Sequence, residues 1–197
     1  MANQINGYRT LLQGQYDTYD HWRAFALANG VNVDYRYGNQ CWDICAMLWH
    51  QFGLFLATGP NHCVYECWTY SRNSNAKFPF EKVGNDSDSA MSRKTLVKRG
   101  DCIIFAPSGL NYTGHIAFAD EDYNGTDSLK CLGQNQGQGS GWGKASNIAT
   151  LNLRNFLGAF RNHNWETITP IPVTKRVIKD KGFPFVLYAR KFRNYPR

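Results

Sequence analysis

With 197 residues, 43% hydrophobic, 15% aromatic and 19% charged, the chain has the makeup of one folded domain plus a short appendage and is too apolar to be a disordered polymer. No apolar run approaches the roughly 20 residues a membrane-spanning helix needs, and the opening MANQINGYRTLLQGQYD lacks the basic start and apolar stretch of a Sec signal, which predicts a product made in a cytosol. The net charge of +7 sits at one end: residues 173–197 hold eight Lys/Arg against Asp180 alone, while the rest balances at fourteen of each sign.

In chain order, residues 1–16 are polar and predict no element. Asp17 or Thr18 caps a helix from Tyr19 to Ala28 that Gly30 stops in a left-handed turn. Residues 31–39 read as a turn. From Gln40 the apolar positions Cys41, Ile44, Cys45, Leu48, Phe52 and Phe55 recur every three or four residues, which predicts a buried helix ending near Phe55–Thr58 before Gly59-Pro60. A second short helix is expected within 61–80, and 84–94 reads as loop. The texture then changes to β-rich runs at 98–106, 114–121, 128–136, 156–162 and 183–192. Gly137–Gly143 is glycine-rich but lacks the Lys-Ser/Thr of a phosphate-binding loop. Helices followed by strands predict an α+β fold, with helices packed on an antiparallel sheet. Residues 1–165 form the expected catalytic domain and 166–197 a basic extension, an extra strand or attachment segment.

The six cysteines, at 41, 45, 63, 67, 102 and 131, are expected as free thiols in a chain without an export signal. Cys63 and Cys67 with His62 and His50 lack the second half of a zinc motif. Cys41 differs from the others because it opens a helix, where unpaired N–H groups and the dipole favour a thiolate. A cysteine nucleophile needs a base, and the base needs something to hold its ring. Of five histidines, His115 alone starts a β-rich core segment. The next strand ends in Gln134-Asn135-Gln136, and Asn135 on it gives a papain-like Cys-His-Asn layout. Strand alternation would put Gly133 and Asn135 on one face and Gln134 on the other.

YGNQCWD, KRGDCIIF, TGHIAFA and CLGQNQG, in that order over about residues 20–162, resemble the CHAP family of cysteine, histidine-dependent amidohydrolases/peptidases. Members cut peptidoglycan, many as bacteriophage lysins. The resemblance implies Cys41 as nucleophile, His115 as general base, and Gln40 with the Cys41 backbone N–H facing the oxyanion. It implies a free endolysin, held in the host cytoplasm until release, or a lysin carried in the virion. Many phage members carry a glutamate two residues before the asparagine; this chain has Gly133 there, which leaves Asn135 to orient His115. That departure supports an alternative, a weak or inactive structural component of a phage tail. Many members also bind calcium through D-x-D-x-Y-x-x-x-x-C-x-D. The matching positions imply structural Ca2+ held by Asn32, Asp34 and Asp43 with the carbonyls of Arg36 and Gly38. The expected partner is bacterial peptidoglycan. The basic tail suits an anionic wall polymer or virion protein better than nucleic acid, and no membrane or organic cofactor is expected.

Overall fold

The computed structural model describes residues 3–70, 80–85, 87–109, 111–137 and 144–165. The strand expected at 183–192 and the basic extension lie outside them. Helix α1 (Tyr19–Ala28) starts at Thr18, whose hydroxyl accepts the His21 N–H at 3.1 Å, while Asp17 pairs with the His21 ring instead. Gly30 does not stop it. The chain leaves α1 in extended conformation at Asn29 and continues as strand β2 (Asn29–Asn32), which pairs in parallel with β1 (Asn3–Asn6). Neither strand is predicted, because NQIN and NGVN hold one apolar residue each, Ile5 and Val31, and so show no apolar alternation. Gly30 is small for a packing reason: a Cβ there would stand 2.3 Å from Asn39 Nδ2 and 2.7 Å from the Lys144 carbonyl.

Helix α2 (Cys41–Gln51) is shorter than its apolar spacing predicts. Gly53 adopts φ +70, and the Gly53 and Leu54 N–H groups donate back to the carbonyls of His50 and Trp49. This closes the helix in a Schellman motif before Phe55. Phe55 is therefore 67% exposed rather than part of the buried stripe. A short helix α3 (Cys67–Tyr70) lies in the expected region. The stretch 84–94 is not all loop, because Ser89 caps a five-residue helix, α4 (Ala90–Lys94).

The main sheet has six strands: β3 (Phe80–Lys82), β4 (Cys102–Phe105), β5 (His115–Ala119), β6 (Ser128–Gly133), β7 (Asn147–Asn152) and β8 (Phe156–Asn162). Their spatial order is β3-β8-β4-β5-β6-β7, every pairing antiparallel. Strands β3 and β7 were not expected: β3 has three residues, and β7 alternates half-buried and exposed positions with no strong apolar set.

Period-two alternation divides the core. Cys102, Ile104, Ile116, Phe118, Leu132 and Phe160 face α1 and α2, where Trp22, Ile44, Leu48 and Trp49 meet them. Ile103, Phe105, Ala117, Ala119 and Cys131 form a second cluster with Val97 and Phe156. Trp49 stacks on Phe80 with ring centroids 3.6 Å apart and anchors α2 to the sheet edge. The fold is α+β and papain-like, helices first and antiparallel sheet second. Among the described residues no helix is long and apolar enough to cross a membrane.

Candidate active site

Cys41 is the first residue of α2, and α2 packs on β5, whose first residue is His115. This joins the two residues that the sequence singles out. Asp43 fixes the helix start: its Oδ2 accepts the Gln40 N–H at 2.7 Å and its Oδ1 the Val33 N–H at 2.9 Å. Gly114 fixes the strand start. It sits at φ +74, and a Cβ there would lie 2.5 Å from the Phe105 carbonyl and 2.8 Å from Tyr65 Cβ. Gly114→Ala is expected to cost about 1–3 kcal/mol through backbone strain and overpacking. It should also displace His115, which thermal melts and the His115 ring resonances will read together.

Burial works against a charged Cys41, but the charge of His115, a hydrogen bond from its ring and the Ile116 backbone N–H outweigh it. The thiol is held below its ordinary value. Burial likewise pulls His115 down, yet the Cys41 charge, its hydrogen bond and Gln136 leave the imidazole above its ordinary value. Each group thus favours the charged form of the other. Two other buried cysteines behave oppositely: burial pushes Cys45 up, with the neighbouring Cys102 adding to it, and pushes Cys131 up to about 12. Cys41 combines a helix N-terminus with the charge of His115.

The residue that holds the His115 ring is not Asn135. His115 Nε2 meets Gln136 Oε1 at 3.0 Å, whereas Asn135 Nδ2 donates to Gln40 Oε1 at 2.9 Å. The alternation that aimed Asn135 at His115 fails because β6 ends at Gly133 and Asn135 turns left-handed, φ +51. The Gln136 amide has one possible orientation. Its Nε2 donates to the carbonyls of Cys131 (2.8 Å) and Asn147 (3.0 Å), so Oε1 must face the ring. An acceptor there requires His115 to carry a proton on Nε2, which leaves Nδ1 for Cys41. Gln136 also explains Gly133: a Cβ on Gly133 would stand 2.7 Å from Gln136 Oε1. A side chain at 133 and the one at 136 compete for the same space. The signal in the sequence was the missing side chain at 133 beside three consecutive amides, Gln134-Asn135-Gln136.

The proposed cation ligands lie on β2 (Asn32), the loop before Cys41 (Asp34, Arg36, Gly38) and α2 (Asp43). Asn32 is buried and its Oδ1 has no hydrogen-bond partner. Asp34 is exposed and its Oδ1 accepts the Arg36 N–H at 2.8 Å. Burial pushes the Asp43 carboxyl up to about 7, despite the Gln40 and Val33 amides that favour its charged form, and the charge of Asp34 adds to the rise. Tyr35 and Tyr37, on either side of Arg36, have φ +62 and +55. Among the described residues no three His, Cys, Asp or Glu side chains cluster as a metal site, so the zinc arrangement around Cys63 and Cys67 has no support.

Two surface clefts, of about 680 and 550 Å3, share Lys98, Asp122 and Arg161; neither is lined by Cys41 or His115.

Fold and site define an α+β, papain-like scaffold that sets a helix-borne cysteine against a strand-borne histidine. Among solved structures it is similar to the crystal structure of a wild-type endolysin, LysIME-EF1, at 19% sequence identity and a TM-score of 0.53. The match covers 73% of this chain and 63% of that one, so the chain spans less than two thirds of the endolysin's length. No protein-family model and no curated protein matches the sequence.

Proposed function

We propose that the chain is a cysteine hydrolase of the CHAP type that cuts amide bonds in bacterial peptidoglycan, working as a phage endolysin or virion-associated lysin. The observation that carries this reading is the Cys41–His115 pair, with the second ring nitrogen already held by Gln136. The four sequence motifs and the fold shared with an endolysin support the substrate class. Cys41 Sγ attacks the scissile carbonyl carbon, forming a C–S bond and an oxyanion that Gln40 and the Cys41 N–H face. His115 gives its proton to the departing amine as the C–N bond breaks, leaving a thioester. It then takes a proton from water, whose oxygen displaces the thiolate.

Gly133 alone would favour a structural virion component without turnover. Gln136 removes most of that argument, since it fills the space and supplies an acceptor to the imidazole. Mass spectrometry of digested walls tests the reading. New stem-peptide N-termini at L-alanine identify an amidase, termini within the stem or bridge an endopeptidase, and an unaltered muropeptide pattern rejects both.

Calcium belongs to the same proposal. The unpartnered Asn32 Oδ1, the Asp34 and Asp43 carboxylates and the Arg36 and Gly38 carbonyls are a fitting set of oxygen donors for a hard cation. Bound there, it would neutralise Asp43 and stiffen the turn entering α2. Chelator is expected to lower the melting temperature by about 5–10 °C, the counterpart of about 2.7 kcal/mol at hundredfold excess over Kd. Ca2+ should restore it, and an unchanged melt removes the site. The basic stretch 173–197 is proposed as the contact with an anionic wall polymer or virion protein.

A further inference from the structure

The three amides after β6 reach three different parts of the site. Gln134 is fully buried; its Oε1 accepts the Val31 N–H at 2.7 Å, and its Nε2 donates to the carbonyls of Val31 (2.8 Å) and Gln40 (3.0 Å). It ties β2 to the residue that precedes Cys41. Gln136 holds the base. Asn135, between them, is exposed and donates to the Gln40 side chain. Gln40 Nε2 also donates to the Tyr37 carbonyl. Those two contacts fix which end of the Gln40 amide is which. The Tyr37 carbonyl requires the NH2 end, so Oε1 is the end that meets Asn135, and Asn135 must present its own NH2. One hydrogen of Gln40 Nε2 then remains for a ligand.

We infer that Asn135 is the positioning residue of the oxyanion donor Gln40, and that Gln134-Asn135-Gln136 is one amide clamp setting both halves of the site. The inference rests on the hydrolase reading for what Gln40 does, but not for what holds it. A half-buried glutamine has three rotatable bonds, and unheld it would reach the oxyanion only after losing that freedom. Pinned at both ends, it is a donor aimed before charge develops, the condition under which such donors are most effective. The hydrogen bond into Oε1 also polarises the amide and makes its N–H groups better donors. The left-handed backbone at 135 suits asparagine, which tolerates it while keeping a side-chain donor.

Asn135→Gly accepts the same φ and removes the donor without adding charge; Asn135→Asp keeps the shape and the φ but cannot donate. In both, wall hydrolysis should fall about 10–100-fold, somewhat less than deletion of an oxyanion donor itself. Iodoacetamide alkylation of Cys41 in Asn135→Gly should stay within about twofold of the parent, because the Cys41–His115 pair is untouched. Hydrolysis within threefold of the parent in both variants overturns the inference. So does alkylation that falls in step with hydrolysis, since Asn135 would then act on the Cys–His pair. Were the parent to cut no wall, the hydrolase reading would fail by itself, and the Gln40 side-chain NH2 resonance would still decide the inference. It should shift on Asn135→Gly, and an unmoved resonance overturns it.

Discussion

Replacing Cys41 with alanine is expected to abolish wall hydrolysis, by about 10⁴-fold or more, because no other group can supply the nucleophile. The expectation is sharper than for an arbitrary buried cysteine. Cys41 lies below the ordinary thiol value and His115 above the ordinary imidazole value. Both shifts favour a thiolate–imidazolium pair over the neutral one. Activity should fall on the acid side as Cys41 takes up a proton and on the alkaline side as His115 loses one. Mild iodoacetamide at about pH 6 should label Cys41 ahead of Cys45 and Cys131, which burial raises and keeps as thiols. His115→Ala should remove that selectivity along with the activity. Lysis that survives Cys41→Ala, with the labelling pattern unchanged in the parent, would eliminate the enzyme reading.

That Cys41 and His115 would meet was legible in the sequence because each position rests on local chemistry. A cysteine at the start of a strongly periodic helix and a histidine opening an apolar strand are both visible within ten residues. The order of helices and strands follows from the same periodicities. What stayed hidden depends on where elements stop. The apolar spacing, continued by Phe55, predicts α2 to run one to two turns too far, whereas the backbone bonds at Gly53 and Leu54 end it. Strand β6 was read to Gln136, and those three extra residues misassigned the orienting amide. Period-two reasoning is all-or-none at a strand end: once the backbone turns at Asn135, the faces it predicts are wrong by one residue. The exchange between positions 133 and 136 is visible only in three dimensions.

Gln136→Ala is the second large effect, an expected loss of about 10²–10³-fold, smaller than the 10⁴ seen when a triad orienter enforces the wrong tautomer. Alanine removes the acceptor on Nε2, so neutral His115 is free to carry its proton on Nδ1, the nitrogen that must receive it from Cys41. Loss of the same hydrogen bond, which raises His115, should move the alkaline limb of the pH–rate profile to lower pH. Folding should suffer less than activity, although the Cys131 and Asn147 carbonyls lose their Gln136 donor. A rate and an alkaline limb both unchanged in Gln136→Ala would show that Gln136 merely fills space. The complementary experiment uses the shared volume. Gly133→Glu alone should inactivate, because its Cβ would stand 2.7 Å from Gln136 Oε1 and 3.2 Å from Ala117 Cβ. Gly133→Glu with Gln136→Gly clears the first of these contacts and puts a carboxylate near the imidazole. Activity should return, with the alkaline limb above the parent's, because a negative charge favours the imidazolium more than a neutral amide does. Recovery in the double variant but not in Gly133→Glu would establish that positions 133 and 136 are alternative sources of one hydrogen-bond acceptor.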